Sequence, residues 1–233
     1  MLSAAGFQKT FAYYKLFLQG VVCTVSLSAL TVLIGFFLAL LLAVMRLGRS
    51  KILKLIATVY VELFRATPMV VQIFIIYYIV FHGVKVLPGY MLFGFIRFER
   101  FFPGVVALAL NSGAYLSEIF RSGIQSIDIG QTEAARSLGM SQFQNMRFII
   151  LPQAIKNVLP AIANEFVTII KESAICYTIG VQDIMAAVNS VKGATFSIAE
   201  PLIVAAGLYF CLTYPTSKII AHFERKMSAG DRR

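Results

Sequence analysis

Apolar residues run in long blocks along this chain, and charge collects between the blocks. From Leu16 to Met45 there is no charged side chain for 30 residues. As a helix rising about 1.5 Å per residue, that run reaches about 45 Å, more than the apolar thickness of a bilayer, so it tilts or protrudes. Gly20, Thr24, Ser28, Thr31 and Gly35 recur along it at helical spacing and form a small, weakly polar stripe of the kind that packs against another membrane helix. Further apolar blocks cover about 67–84, 101–120, 153–180 and 201–223. The pattern predicts an all-α integral membrane protein with about five transmembrane helices in one domain, 1–233. A single polar segment, 128–152, interrupts it.

Composition agrees. The chain is 58% hydrophobic and only 14% charged, and its length leaves no room for a separate soluble domain. The first apolar run is too long for the core of a cleaved leader and lacks a small-residue cleavage pattern, so it is expected to remain as a span. A formal charge of +10 raises the question of nucleic acid, but the basic residues gather at the ends of the apolar blocks, which is a topology signal. Placing the amino terminus outside and the carboxyl terminus inside puts 14 of the 21 Lys and Arg in inner segments, including Arg46, Arg49, Lys51, Arg65, Arg232 and Arg233. Six fall outside (Lys9, Lys15, Lys85, Arg97, Arg100, Lys192), and Lys171 lies within a span. The inverse topology would violate the inside excess of basic residues. Cys23, Cys176 and Cys211 stand far apart in apolar runs and read as packing residues, with neither a disulfide frame nor a metal site.

The polar segment has its own design. Asp128 is placed to cap a short helix, with Gln131 three residues on as the partner of a capping box and Glu133 in the first turn, where the helix dipole favours a carboxylate. Ala134 and Ala135 are small enough for another backbone to come close. Gly139 ends the turn, an amphipathic piece follows (Phe143, Met146, Ile149, Ile150), and Pro152 is expected to close it. Flanked by membrane-length runs, such a helix lies outside the bilayer, either at its surface or against a partner.

The spelling Glu133-Ala134-Ala135, three residues, Gly139, nine residues, Ile149, one residue, Leu151-Pro152 resembles the EAA motif of ATP-binding-cassette (ABC) importer permeases. The resemblance covers the chain from about Gly20 onward. It is strongest over Asn111–Asp183 and points to the polar amino-acid uptake branch, the histidine-, glutamine- and arginine-type permeases. Arg65-Ala66-Thr67-Pro68 stands where that family spells Arg-Gly-Thr-Pro, with Ala66 in place of the usual Gly; Asn111-Ser-Gly-Ala-Tyr115 and Lys171-Glu172-Ser173 also fit. The resemblance implies a type I ABC importer permease fold in a bacterial cytoplasmic (inner) membrane, with 128–152 as a cytoplasmic coupling helix that docks on an ABC ATPase subunit. A second permease subunit, identical or closely related, and an extracytoplasmic amino-acid-binding protein are the other implied partners. Membrane lipids surround the spans, and no nucleic acid is involved. ATP and magnesium would sit on the partner ATPase, leaving no cofactor in this chain.

The chain has no G-x-x-x-x-G-K-[ST] phosphate loop, no H-E-x-x-H, no G-x-S-x-G and no paired Cys/His spacing, so a non-enzyme is expected. What needs explaining is charge at membrane depth. Glu165, Lys171 and Glu172 fall inside the fourth apolar block, where an ionised group costs a few kcal/mol or more. Asn164, Thr168 and Lys171 share one helical stripe, and Glu165 and Glu172 share the next. In the third block Asn111, Tyr115, Glu118 and Ser122 share a polar face. These groups either neutralise one another or line a solvated path that holds a zwitterion, with Lys171 against a carboxylate and a Glu against an ammonium. The resemblance supports the second reading for Lys171, Glu172, Ser173 and Glu165, then for Asn111 and Tyr115. Arg65, placed near the cytoplasmic edge, ranks last. An ion-coupled secondary amino-acid transporter is the alternative; it would be favoured by inverted repeats, of which there is no sign. In a background freed of native cysteines, a cysteine introduced within 89–93 is expected to react with an impermeant thiol reagent in intact cells, and one within 228–230 only after permeabilisation. Labelling of the tail in intact cells would overturn this topology.

Overall fold

The computed structural model describes residues 2–81 and 87–229, the side chains of 227–229 excepted. The expected end of the second span at Val84, the outer Lys85 and the terminal Arg232 and Arg233 lie outside the described residues.

The uncharged run forms one helix, α2 (Tyr14–Leu47), two residues longer at each end than the apolar pattern alone suggests. Its main neighbour is α5 (Phe98–Gln125). The small stripe is the contact: Thr24, Ser28 and Thr31 are completely buried. A Cβ on Gly35 would come within 3.3 Å of Ser112, and one on Gly113 within 2.7 Å of Leu38. At the outer end of the same stripe, a Cβ on Gly20 would meet the backbone carbonyl of Asp183 at 2.8 Å. Glycine is therefore required by proximity at both ends, as in other tightly packed membrane helices. Around this seam Cys23, Leu27, Phe101, Val105, Leu108, Cys176 and Val181 form the main core; Cys23 and Cys176 are buried free thiols.

The second expected span is placed differently. Helix begins at Lys51, not near 67: α3 (Lys51–Ala66) precedes α4 (Met69–Phe74), which continues in wide π-type turns over Ile75–Phe81, and the two parts are bent by 109° at Thr67-Pro68. Pro68 caps α4, as expected for a residue that lacks an N–H and disfavours helix before it. The scattered charges Lys54, Glu62 and Arg65 mask an apolar surface on α3. Ala57 and Val61 bury themselves against Leu42 and Ala114, and the Tyr60 hydroxyl donates to the Leu110 carbonyl at 2.8 Å. Hence α3 turns back beside the inner half of α2 and climbs toward the middle of α5.

At the end of the bundle opposite the polar segment two elements depart from the expected loops. Residues 87–97 include a minimal hairpin, β1 (Met91–Leu92) and β2 (Ile96–Arg97), antiparallel with Met91 opposite Arg97. Phe93 and Gly94 take positive φ at its tip, and the Tyr90 ring stacks on Phe98 with centroids 4.6 Å apart. The fold is thus helical apart from four residues of strand among those described. The stretch expected as a loop from Asp183 holds α9 (Ile184–Thr195), started by the Asp183 carboxylate, which accepts the Ala186 N–H at 2.8 Å. A short amino-terminal helix, α1 (Ala4–Phe11), is fastened to the start of α10 (Ala199–Ala229) by the Ser3 N–H, which donates to Glu200 at 3.1 Å. Among the described residues α2 and Ala199–Lys226 of α10 are each long and apolar enough to cross a membrane alone, and two bent helix pairs raise that to as many as four. α5 is long enough, but its buried middle is polar (Asn111, Ser112, Ser117). α10 keeps most of its apolar surface uncovered, Phe210, Tyr214, Ile219 and Phe223 among it.

Candidate functional site

Two regions hold the residues singled out by sequence. The first is the polar segment. α6 (Ile129–Ser137) starts at Asp128, whose carboxylate accepts the Gly130 N–H at 2.7 Å. Gln131 does not complete a capping box, and Glu133 sits one turn deeper than the first. The box is instead made by Ser141 and Gln144 at α7 (Gln142–Asn145), where each side chain accepts the other's backbone N–H, at 2.8 and 3.3 Å. Between the helices Gly139 takes φ +78°, a left-handed conformation that L side chains resist. It lets Met140 donate to Ala135 and reverses the chain. Asn145 reaches back to Thr132 at 3.3 Å and ties α7 to α6.

Pro152 does not close this segment. A wide turn, Met146–Ile150, carries the helix directly into α8 (Leu151–Glu172), with Pro152 in its first turn, where a missing N–H and a fixed φ are tolerated. The consequence is one helical run, Gln142–Ile179, from the polar segment into the bundle. Of the motif residues, Glu133, Ala134, Gly139, Leu151 and Pro152 are exposed, Ile149 is half-buried and Ala135 is buried. Ile129, Leu138, Phe143 and Phe148 add bare apolar knobs around them. An exposed rim carrying this many large apolar side chains, held by internal hydrogen bonds, is suited to meeting another protein.

The second region follows the polar face of α5. At its inner end Glu118 is shared by Arg46 of α2 and by Arg121, whose guanidinium donates to Glu118 at 2.7 and 2.9 Å. Midway along, Asn111 is buried and its amide donates to the Phe64 carbonyl at 3.2 Å and to the Gln72 side-chain oxygen at 2.9 Å. Gln72 in turn donates to the carbonyls of Phe64 and Thr67 at 2.7 and 3.0 Å. The carbonyls orphaned by the α3–α4 break are thereby satisfied by two side-chain amides, which is what a break at bilayer depth demands. Asn111 is spent on holding this bend. Gln72 was not anticipated, although it is the lone amide in the apolar stretch 69–81.

The same contacts relocate Arg65. Because Phe64 is bonded to Asn111, Arg65 stands level with the middle of α5 and not at the end where Arg46 meets Glu118. Its guanidinium lies 5.6 Å from the centroid of the Tyr115 ring, one turn inward of Asn111. Next to Asn111, Ser112 donates its hydroxyl to Glu165 of α8 at 3.0 Å, so Glu165 is at the same depth. Lys171 and Glu172 follow six and seven residues later, about 9–10 Å further outward along the helix. Both are exposed, and neither takes part in the ion pairs found among the described residues, both of which belong to Glu118. The mutual neutralisation of Glu165, Lys171 and Glu172 by salt bridges is therefore not seen. Ser173 is fully buried and donates to the Ile170 carbonyl at 2.8 Å where α8 tightens into a 3₁₀ turn, Ser173–Ile179. No cluster of three or more metal-ligating side chains occurs among the described residues.

A helical membrane protein with a broken span at mid-depth, charge beside the break and a docking platform at one end has the anatomy of a transporter subunit. The sequence profile of the family described as binding-protein-dependent transport system inner membrane component matches residues 10–229. The chain is 37% identical over 225 residues to the arginine transport system permease protein ArtQ of Bacillus subtilis, covering 97% of this chain and 98% of that one. It is 40% identical over 205 residues to the nopaline transport system permease protein NocM of Agrobacterium fabrum, covering 87% and 84%. A crystal structure of an amino acid ABC transporter with histidines superposes with a TM-score of 0.88 at 41% identity, over 97% of this chain and 100% of that one. The chain belongs to the family of binding-protein-dependent transport system inner membrane components. It is a multi-pass permease subunit of an ABC importer in the inner membrane, with the type I fold, and that membership implies an ATPase subunit and a binding protein as partners. Nothing in these relatives favours an ion-coupled carrier.

Since Asn111 helps to hold the bend, Asn111→Leu removes one of the two donors to the Phe64 carbonyl and leaves the Gln72 side-chain oxygen unpaired, the latter at a cost of about 1–3 kcal/mol. The purified complex is expected to unfold at a lower temperature, whereas Tyr115→Phe leaves the transition in place. Equal thermal stability of Asn111→Leu and the parent would show that the bend does not depend on these bonds.

Proposed function

We propose that the chain carries polar amino acids, in their zwitterionic form, through a path that passes the α3–α4 break. The observation that carries this reading is the pairing of depth and charge on one face of α5: Glu165 beside Ser112 and Arg65 beside Tyr115, about one helical turn apart and not bonded as an ion pair. A carboxylate and a guanidinium separated in this way offer one partner to an ammonium and one to a carboxylate. Lys171 and Glu172, further out and exposed, form the outer approach. Tyr115 positions Arg65, and Asn111 and Ser173 act through packing. The relatives' names, arginine and nopaline transport, and the histidine-bearing structure are in keeping with amino-acid cargo.

In this reading the exposed side of α8 and the bare face of α10 meet a second permease subunit, which closes the path. In the same reading the chain crosses five times, with the amino terminus outside and the α6–α7 platform in the cytoplasm. Glu133, Ala134, Gly139, Ile149, Leu151 and Pro152 make up the surface onto which the ATPase docks, with Ala135 buried behind them, and ATP and magnesium are bound there by the ATPase alone. Closure of the ATPase moves the platform and, through the continuous helix, the side of the path that carries Glu165.

Uptake by proteoliposomes containing the assembled transporter tests the cargo site. Glu165→Gln and Arg65→Gln are each expected to lower uptake per assembled complex by roughly 10- to 100-fold, the worth of a charge-assisted hydrogen bond of about 1.5–3 kcal/mol. Lys171→Met is expected to have a smaller effect, and uptake unchanged in both Glu165→Gln and Arg65→Gln would sink the assignment. For coupling, Gly139→Pro imposes a φ near −65° on a position at +78° and reshapes the platform. ATPase activity stimulated by loaded binding protein is expected to fall to the basal level while the complex still assembles; normal stimulation would contradict a docking role for this turn.

A further inference from the structure

At the cytoplasmic end of the bundle α2, α5 and α8 splay apart, and α7 bridges the gap. The result is a groove of about 620 Å³ walled by Leu40 and Val44 of α2, Phe120 of α5, Phe143 of α7 and Ile155 of α8, with Gly48-Arg49 at its mouth. Its lining is almost wholly apolar, and no acidic residue contributes to it. Arg49 is exposed and engages in no hydrogen bond or ion pair among the described residues, unlike Arg46 three residues earlier, which is held by Glu118. Lys51 and Lys54 follow on the same exposed turn.

We infer that this groove seats an anionic phospholipid of the cytoplasmic leaflet, with an acyl chain between α2 and α8 and its phosphate on Arg49. Depth and charge both point this way. Leu40 precedes Gly48 by eight residues and so lies about 12 Å along the helix from the mouth. That depth belongs to hydrocarbon, while a soluble subunit rising from the cytoplasm meets α6 and α7 first. The walls run on into the bare apolar face of α2 (Phe37, Leu41, Val44), which is open to lipid. The mouth carries unneutralised positive charge at the level where headgroups lie, worth about 1 kcal/mol per Lys or Arg toward an anionic surface. One wall is Phe143, on the turn after Gly139, so a chain in the groove supports the platform from the membrane side. The site does not depend on which solute the transporter carries.

The test uses the complete transporter in nanodiscs of phosphatidylcholine doped with a photoreactive lipid whose acyl chain bears a diazirine, with either a phosphatidylglycerol or a phosphatidylcholine headgroup. After irradiation, mass spectrometry of the digested chain is expected to find adducts concentrated in 40–49 and 142–158. The anionic probe should exceed the neutral one about fivefold, the equivalent of one headgroup charge on one basic residue. Arg49→Gln is expected to erase that preference while adducts persist. Val44→Trp, at an exposed position where folding is not at stake, is expected to remove adducts from 151–158 with either probe. Adducts spread evenly over the bare faces of α2 and α10, or equal yields from both headgroups in the parent, would overturn the proposal. So would capture of the ATPase or of a second copy of the chain by a crosslinker placed at Val44→Cys.

Discussion

Everything else in this fold leans on the seam between α2 and α5, where side chains smaller than valine let two long helices touch along most of their length. In lipid there is no hydrophobic gain from burying leucine against leucine, so close van der Waals packing has to hold helices together. Gly35 against Ser112 and Gly113 against Leu38 supply it. With the seam closed, the polar face of α5 is turned toward α3, α4 and α8, and every functional group discussed above is positioned from that face. Glu118 gathers two arginines at its inner end, Asn111 fastens the broken span at its middle, and Ser112 holds Glu165 beside it. A wider seam would rotate or displace all three.

Much of this was legible before any coordinates. The uninterrupted run from Leu16, the small stripe within it, the cap at Asp128 and the reversal at Gly139 follow from spacing and residue type. What escaped has a common cause: a long-range contact settled it. The start of α3 was hidden because Lys54, Glu62 and Arg65 look like a loop until Ala57 and Val61 find Leu42 and Ala114. Arg65 looked peripheral because its depth is set by a bond from Asn111, 47 positions from Phe64. Pro152 looked like a stop, and the wide turn before it removes the conflict that would have made it one. In the site, the charges Glu165, Lys171 and Glu172 were evident from sequence, whereas the inward turn of Ser173 and the structural use of Asn111 depend on which way a helix faces.

The bent pair α3–α4 and the EAA platform treat unsatisfied backbone in two ways. Lipid offers the carbonyls of Phe64 and Thr67 no partner, so Gln72 and Asn111 are drawn in and buried. At the platform solvent is at hand, and a left-handed glycine with a capping box suffices. The first arrangement is rigid because breaking it strands buried polar groups. The second keeps its exposed knobs in place at little cost, which suits a surface that must engage and release a partner.

The helical run from Gln142 to Ile179 has a mechanical meaning. It is about 55 Å of chain with a change of winding but no break, and Glu165 lies on it. A joint at Pro152 would have let the platform swivel while the bundle stayed still. Without such a joint, Phe143 and Glu165 ride on one helical run, so a displacement of the platform relative to the bundle has to be taken up along the run itself.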